Sequence, residues 1–260
     1  MRVDKYLAAA KYTKSRKFAQ DLIDEGAVKI DGVVVKKASQ EIDHTVPHKV
    51  EIEEIFKYVS RGGMKLEAAL SAFSVNVNGA KAVDVGASTG GFTDCLLKRG
   101  ARQVYAIDAG VGQLHPSLAG DARVCSIEKF NARDLTPLAT DGECDVAVAD
   151  VSFISQTYII PQIVSVLKDG GTFISLIKPQ FEAGTSALSK GGVVTSSAYR
   201  FLAVKRVLSC AHENGLDCRG LIHSPITGGD GNKEYLACFV KANTLVPKID
   251  DKMIKRITAL

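Results

Sequence analysis

The chain has 260 residues, 46% hydrophobic and 24% charged, with a formal net charge of +4, which is ordinary for a soluble globular protein and identifies no partner by itself. No run of about 18 apolar residues is present to span a membrane, and the start Met1-Arg2-Val3-Asp4-Lys5 lacks the apolar core of a signal peptide. Six scattered cysteines (Cys95, Cys125, Cys144, Cys210, Cys218, Cys238), none in a Cys-x-x-Cys pair, point to reduced thiols, a cytoplasmic setting and no zinc site.

The first twenty residues carry Arg2, Lys5, Lys11, Lys14, Arg16 and Lys17 against Asp4 alone, so the basic charge is local to one end. Val3, Tyr6, Leu7 and Ala10 fall at helical spacing. Thr13 or Ser15 is a candidate cap for a second helix with the apolar stripe Phe18, Ala19, Leu22, Ile23. Lys14, Arg16 and Lys17 then cluster at that helix's start, against its dipole, where an anionic partner would offset them. In the stretch from Ala27 to Lys37, Asp31-Gly32 between two β-rich runs predicts a hairpin. Lys49-Val50-Glu51-Ile52-Glu53 alternates like a closing strand. Residues 1–55 therefore read as a small module of two helices, a hairpin and a strand. Phe56-Lys57-Tyr58-Val59 is too short and apolar for a floppy linker.

Beyond Ser60, a helix presents Leu66, Ala69, Leu70 and Phe73 on one face. Lys65 sits in its first turn, a poor place for a cation, and the pattern alone favours a solvated side chain there. From residue 80 strands and helices alternate. The strands are expected at 83–85, 104–108, 124–127, 145–150, 172–179, 220–223 and 234–240, with a helix over 198–214. The Gly-rich loop from Ile226 to Lys233 is expected to be mobile. Such alternation implies a parallel sheet with ligands at the strand C-termini.

The stretch from Ala82 to Asp94 runs an apolar strand through a glycine turn into a helix start, the geometry that α/β proteins use for nucleotide-like ligands. Gly86, Gly90 and Gly91 would let the backbone approach a ligand; a purely structural strand–helix turn fits the same residues. Asp108, ending the next strand, suits a ribose diol, because a carboxylate can accept from both hydroxyls. Asn131-Ala132-Arg133-Asp134 lies where an adenine edge could be read, or is a plain polar loop. The turn lacks both Gly-x-Gly-x-x-Gly and the Gly-Lys-Ser/Thr of a phosphate-cradling loop. Asp150 and Lys178 fall at strand ends, an acid and a lysine suited to proton chemistry.

The N-terminal stretch RVDKYLAAAKYTKSRKFAQDLIDEGAVKIDGVVVKKAS resembles the S-four type RNA-binding module. In that family the second helix and the turn after it present basic residues to structured RNA. The resemblance implies an RNA-binding face of Lys11, Lys14, Ser15, Arg16, Lys17 and Gln20, with Lys36 and Lys37 from the hairpin. DVGASTGGFT resembles motif one of the class I S-adenosylmethionine methyltransferases, most closely the FtsJ-like ribose methyltransferases. It implies a cofactor site of Asp84, Gly86, Ala87, Ser88, Thr89, Gly90, Gly91, Phe92 and Thr93, joined by Asp108, Asn131 and Asp150. With YVSRGGMKLEAAL, VADVSFIS, LIKPQFE and GNKEYL, the chain over about residues 1–242 resembles the TlyA (hemolysin A) family of rRNA 2′-O-methyltransferases.

That resemblance implies an α/β fold. A class I, Rossmann-like methyltransferase domain with a seven-stranded, mostly parallel sheet would occupy 60–242. A small α+β RNA-binding domain would occupy 1–55, a linker 56–59 and a tail 243–260. It implies a catalytic tetrad of Lys65, Asp150, Lys178 and Glu234, S-adenosylmethionine as cofactor, no metal, and cytidine riboses of ribosomal RNA in ribosomal subunits as substrate. Lys178 would stand nearest the 2′-hydroxyl, as a cation or as a base. The strand ending Ala-Asp-Val-Ser-Phe differs from the Asn/Asp-Pro-Pro-Tyr/Phe of base-amine methylation, and no cysteine follows strand four or five to attack a pyrimidine. Some members carry Arg-x-Trp-Val where this chain has Phe56-Lys57-Tyr58-Val59, keeping the aromatic and the Val but not the Arg, which leaves a linker role in cofactor binding or interdomain signalling open. Two other readings remain. A membrane-active hemolysin would need an insertion segment, and none is found. A non-catalytic RNA-binding protein sits poorly with a cofactor loop and tetrad that are both present.

Overall fold

The protein's structure is a computed structural model that describes residues 1–13, 16–24, 26–52, 57–228, 231–242 and 250–259, without the side chains of Lys17 and Asp21. The chain divides into two compact units, Met1–Arg61 and Gly62–Leu260.

The first unit packs α1 (Val3–Ala9) and α2 (Arg16–Asp24) on an antiparallel sheet of β1 (Val28–Ile30), β2 (Val33–Val34) and β3 (Val50–Ile52), ordered β2-β1-β3. Asp31 and Gly32 close the hairpin with φ of +51° and +80°, the left-handed pair that a two-residue turn requires. Val3, Leu7, Ala19, Leu22, Ile23 and Val28 form the core. Asp4 is fully buried beside them and accepts hydrogen bonds from Arg2 Nη2 (2.9 Å), Arg16 Nε (2.9 Å) and Gln20 Nε2 (2.7 Å). Burial pushes this carboxyl up, but the hydrogen bonds from Arg2, Gln20 and Arg16 outweigh it and hold it far below the usual carboxylate range. Arg16 and Gln20, expected on the RNA face, thus spend side-chain donors inside their own unit. Lys11, Lys36 and Lys37 are exposed. Lys14 and Ser15 lie outside the described residues.

His48 has an acceptor at each ring nitrogen: Asp31 Oδ2 at 2.7 Å from Nδ1 and the Asp43 carbonyl at 2.8 Å from Nε2. An acceptor at each nitrogen favours the protonated ring, in which both donate. Asp31, chiefly by its hydrogen bond, raises the pKa of His48. The stabilisation is fully present below the unfolded value of about 6.5 and fades as pH rises through the folded value. A ¹H NMR titration of the full chain is expected to place the His48 midpoint above 6.5, and Asp31→Asn to bring it down; a midpoint at or below 6.5 would contradict this.

The second unit is built on a sheet ordered β6-β5-β4-β7-β8-β10-β9. Its strands are β4 (Lys81–Val85), β5 (Gln103–Ile107), β6 (Val124–Ile127), β7 (Cys144–Ala149), β8 (Leu167–Ile177), β9 (Leu216–His223) and β10 (Tyr235–Lys241). β4 to β8 run parallel, and β10 is antiparallel to both β8 and β9. β4 is buried at every position, as a central parallel strand covered on both faces must be. The helices are α3 (Gly62–Ala72), α4 (Gly91–Lys98), α5 (Pro116–Ala119), α6 (Ile160–Val166), α7 (Pro179–Glu182), α8 (Ser197–Glu213) and α9 (Asp251–Ala259). The main core joins β4, β5, β7, β8 and β10 to Ile160, Ile163, Val204 and Val207 of α6 and α8.

The end of the chain differs from the expected tail. Residues 243–249 lie outside the described residues, but α9 packs on α8 and buries Ile254 in the main core. Its apolar residues stand at helical spacing within a charged run, and that spacing prevails over the tail-like composition.

Candidate active site

β4 delivers the chain into the glycine turn. Gly86 has φ of +83°, and a Cβ on it would stand 2.7 Å from the Asp150 carbonyl oxygen. Gly90 has φ of +91°, and a Cβ there would run into the Leu118 and Leu114 side chains. These two glycines thus make room for neighbouring protein segments; Gly86 also lines the cleft described below, and Gly90 is buried. Asp84, Gly90, Gly91, Phe92 and Thr93 are all buried, and none lines the cleft described below. Thr93 Oγ1 donates to Asp84 Oδ2 at 2.7 Å and ties α4 to β4. Complete burial pushes the Asp84 carboxyl up to about 7, against the Thr93 hydrogen bond and with the nearby charges of Asp150 and Asp108 adding to the rise.

Asp108 continues from the end of β5. Its carboxylate is fixed by two backbone N–H groups, Ser88 to Oδ2 and Gly110 to Oδ1, each at 2.7 Å. Ser88 reaches it because its φ of +48° turns the N–H inward. Each carboxylate oxygen retains a second lone pair. Beyond the ends of β4, β5 and β7 lies a cleft of about 870 Å³, lined by Gly86, Ser88, Asp108, Asn131, Asp150 and Phe153 among others. Ala87 lines a small recess beside Asp108, and Thr89 is half-buried outside both hollows. Asn131 Oδ1 accepts from the Arg133 N–H at 3.0 Å and caps a short turn.

Asp150, in the lining of this cleft, belongs to one of two ion pairs that stand at neighbouring strand ends. Lys178 Nζ lies 2.6 Å from Asp150 Oδ1 and donates to Ser152 Oγ at 2.9 Å. Lys65 Nζ donates to Glu234 Oε2 at 2.5 Å, with both side chains buried. β7, β8 and β10 are neighbours, and Ile177 pairs with Tyr235 across the antiparallel ladder. Lys178 and Glu234, each one residue beyond that pair, therefore leave the sheet at the same end. The structure brings all four expected tetrad residues to one row of strand ends. Lys65, which its helix pattern alone leaves solvated, is buried because its partner arrives from 169 residues away.

Phe153 is 92% exposed with φ of +63°, its ring 5.2 Å from that of Phe181. Sequence reading missed Ser152 and Phe153. Their signal was present only as the segment between Asp150 and Ile154.

The chain matches the family model of the FtsJ-like methyltransferases over residues 58–241 and that of the S4 domain over residues 1–45. It is 44% identical to Hemolysin A of Brachyspira hyodysenteriae, over 92% of this chain and 100% of that one. It is 42% identical to the 16S/23S rRNA (cytidine-2′-O)-methyltransferase TlyA of Mycobacterium tuberculosis, over 90% of this chain and 87% of that one. A solved structure from Streptococcus thermophilus, 38% identical, aligns with a TM-score of 0.80 over 100% of this chain and 94% of that one. An S-adenosylmethionine dependent methyltransferase from Mesorhizobium loti, only 15% identical, shares the fold with a TM-score of 0.50 over 68% of this chain and 97% of that one. A sheet of this order, a cleft at its parallel strand ends and these likenesses agree: the chain belongs to the FtsJ-like methyltransferases, in the group of Hemolysin A and TlyA, with an S4 domain at its N-terminus.

Proposed function

We propose that this protein methylates ribose 2′-hydroxyl groups of cytidines in ribosomal RNA, with S-adenosylmethionine as the methyl donor. The observation that carries the reading is the pair Lys178–Asp150 at the rim of the cleft, backed by the buried pair Lys65–Glu234. The residues of the cleft fit the donor. The free lone pairs of Asp108 suit a ribose diol, and the amide nitrogen of Asn131 is the end left to meet an adenine edge. When bound, the donor supplies a methyl group already activated on a sulfonium.

What remains for the protein is to align a poor nucleophile and ease loss of its proton. Lys178 donates one hydrogen bond to Ser152 and stands in an ion pair with Asp150, 2.6 Å from Oδ1. Those contacts fix the Nζ in place with donors left for the 2′-oxygen, where an ammonium would stabilise the charge that develops. The exposed ring of Phe153 offers a face on which the target's base can stack. The S4 unit would supply the grip on structured RNA, and an rRNA substrate supports a cytoplasmic setting. One relative bears the name hemolysin, but no helix of the described residues is long and apolar enough to cross a membrane.

Incubation with tritiated S-adenosylmethionine and undermethylated small and large ribosomal subunits tests the reading. Label is expected in rRNA, at cytidine 2′-oxygens. No label in either subunit overturns it, and label on a base overturns the ribose assignment.

A further inference from the structure

The Gly-rich loop 226–233, expected to be mobile, is pinned at its far end. Asn232 is 1% exposed and uses both ends of its amide on one segment. Its Oδ1 accepts from the Val194 N–H and its Nδ2 donates to the Gly192 carbonyl, each at 3.0 Å. The same segment is held from below by Arg200 of α8. Arg200 is buried, and among the described residues it makes no ion pair. Its donors go to carbonyls: Nη1 to Thr195 at 2.6 Å, and Nε to Thr258, in the last turn of α9, at 3.2 Å. Burying a guanidinium is costly unless its donors are met. Here that cost is spent on joining three segments: α8, α9 and the stretch 192–195.

Asn232 stands two residues before Glu234. Its carbonyl accepts from the Gly228 N–H at 2.9 Å, and that of Glu234 from the Ser224 N–H at 2.9 Å. A Cβ on Gly228 would lie 2.7 Å from Glu234 Oε1, so the carboxylate is boxed in on that side. Glu234 is therefore fixed by Lys65 in front, Gly228 beside it and the Asn232 anchor behind.

We infer that Arg200 and Asn232 are positioning residues for the methyl transfer: they lock residues 192–195 onto the strand start that carries Glu234, and so set where Glu234 holds Lys65. The inference rests on the methyltransferase reading of the site. It gives α9 a part in the reaction, because the Thr258 carbonyl is, with those of Thr195 and Val194, one of the three acceptors that orient Arg200.

Two measurements on the full chain test it. In single-turnover methyl transfer to ribosomal subunits, Asn232→Ala is expected to lower the rate about 10-fold to 50-fold while the KM for RNA and the Kd for S-adenosylmethionine change less than about twofold. Added to Glu234→Gln, it is expected to cost nothing further, since both act through one group. Arg200→Lys, which keeps the Thr195 contact within reach, should retain more activity than Arg200→Met. Losses that multiply in the double variant overturn the inference, as does an undiminished rate in folded Asn232→Ala. Independently of activity, amide hydrogen exchange of residues 192–195 and 232–236 is expected to accelerate at least about 10-fold in Arg200→Met and in Asn232→Ala. Unchanged exchange overturns the inference even if no variant, nor the parent, transfers a methyl group. Failure of the parent alone to transfer indicts the methyltransferase reading instead.

Discussion

Lys178→Ala is expected to slow methyl transfer by about 10³-fold, within the range of about 10² to 10⁴ that one positioned proton-handling or charge-stabilising group supplies. RNA affinity and the melting temperature should stay near those of the parent. The substitution leaves Asp150, whose side chain is 23% exposed, in contact with water, so no deeply buried charge is stranded. The converse change, Asp150→Ala, leaves the ammonium held by Ser152 alone and is expected to cost about 10²-fold through misplacement. Lys178→Arg separates the two roles open to the lysine. An arginine remains a cation and cannot serve as a base near neutral pH. Retention of a few per cent of the rate supports electrostatic stabilisation. A loss equal to that of Lys178→Ala supports proton acceptance, and would contradict the assignment drawn from the Asp150 and Ser152 contacts. Full activity in Lys178→Ala would remove the residue from the reaction altogether.

The second large effect is on RNA binding. Lys11, Lys14 and Lys17 changed together to glutamine should weaken binding to ribosomal RNA by about 10²-fold at moderate salt. The slope of log K against log salt should fall in magnitude by about 2, as expected when roughly three phosphate contacts are lost. An unchanged slope over several salt concentrations would count against this face. Arg16 belongs to a different class. Its guanidinium serves buried Asp4, and Arg16→Ala should lower the stability of the first unit by about 1–3 kcal/mol, the cost of under-satisfying a buried charged group. A survey of basic residues that ignored Asp4 would mistake that loss of fold for loss of an RNA contact. Circular dichroism of each variant separates the two.

Much of the fold was legible because it is written in short-range pattern. Ala82, Val83 and Val85 run into a glycine turn, and apolar strands recur with helices between them. The Asp31-Gly32 pair announces its hairpin in two residues. The strand ends were legible too, since Asp150 and Lys178 each close an apolar run. What escaped depends on long-range pairing. Lys65 is indistinguishable from a surface lysine until β10 brings Glu234 to it. Gly86 and Gly90 announce a tight turn, and only the packed structure reveals that the Asp150 carbonyl and Leu118 lie against them. Arg16 and Gln20 carry a binding-face pattern while their side chains serve Asp4. Asn232 reads as a loop residue because nothing local reveals that Gly192 and Val194 lie against it. The apolar spacing of α9 is only nine residues long and sits among charges, so composition hid it.

The strand order has a consequence for the sequence of events in synthesis. The S4 unit is complete by Arg61, so it can close on its own core while the remainder is still being made. The second unit cannot finish in chain order. β10 lies between β8 and β9 although it is made after both, so β9 has no place in the sheet until β10 arrives, and the two must dock as a hairpin. Glu234 enters with that hairpin, and the Thr258 carbonyl that braces Arg200 comes later still. Lys65, near the beginning of its unit, thus waits for almost the whole polypeptide before it meets its counter-ion. A nascent chain would hold a finished RNA-binding head well before it holds a competent catalyst.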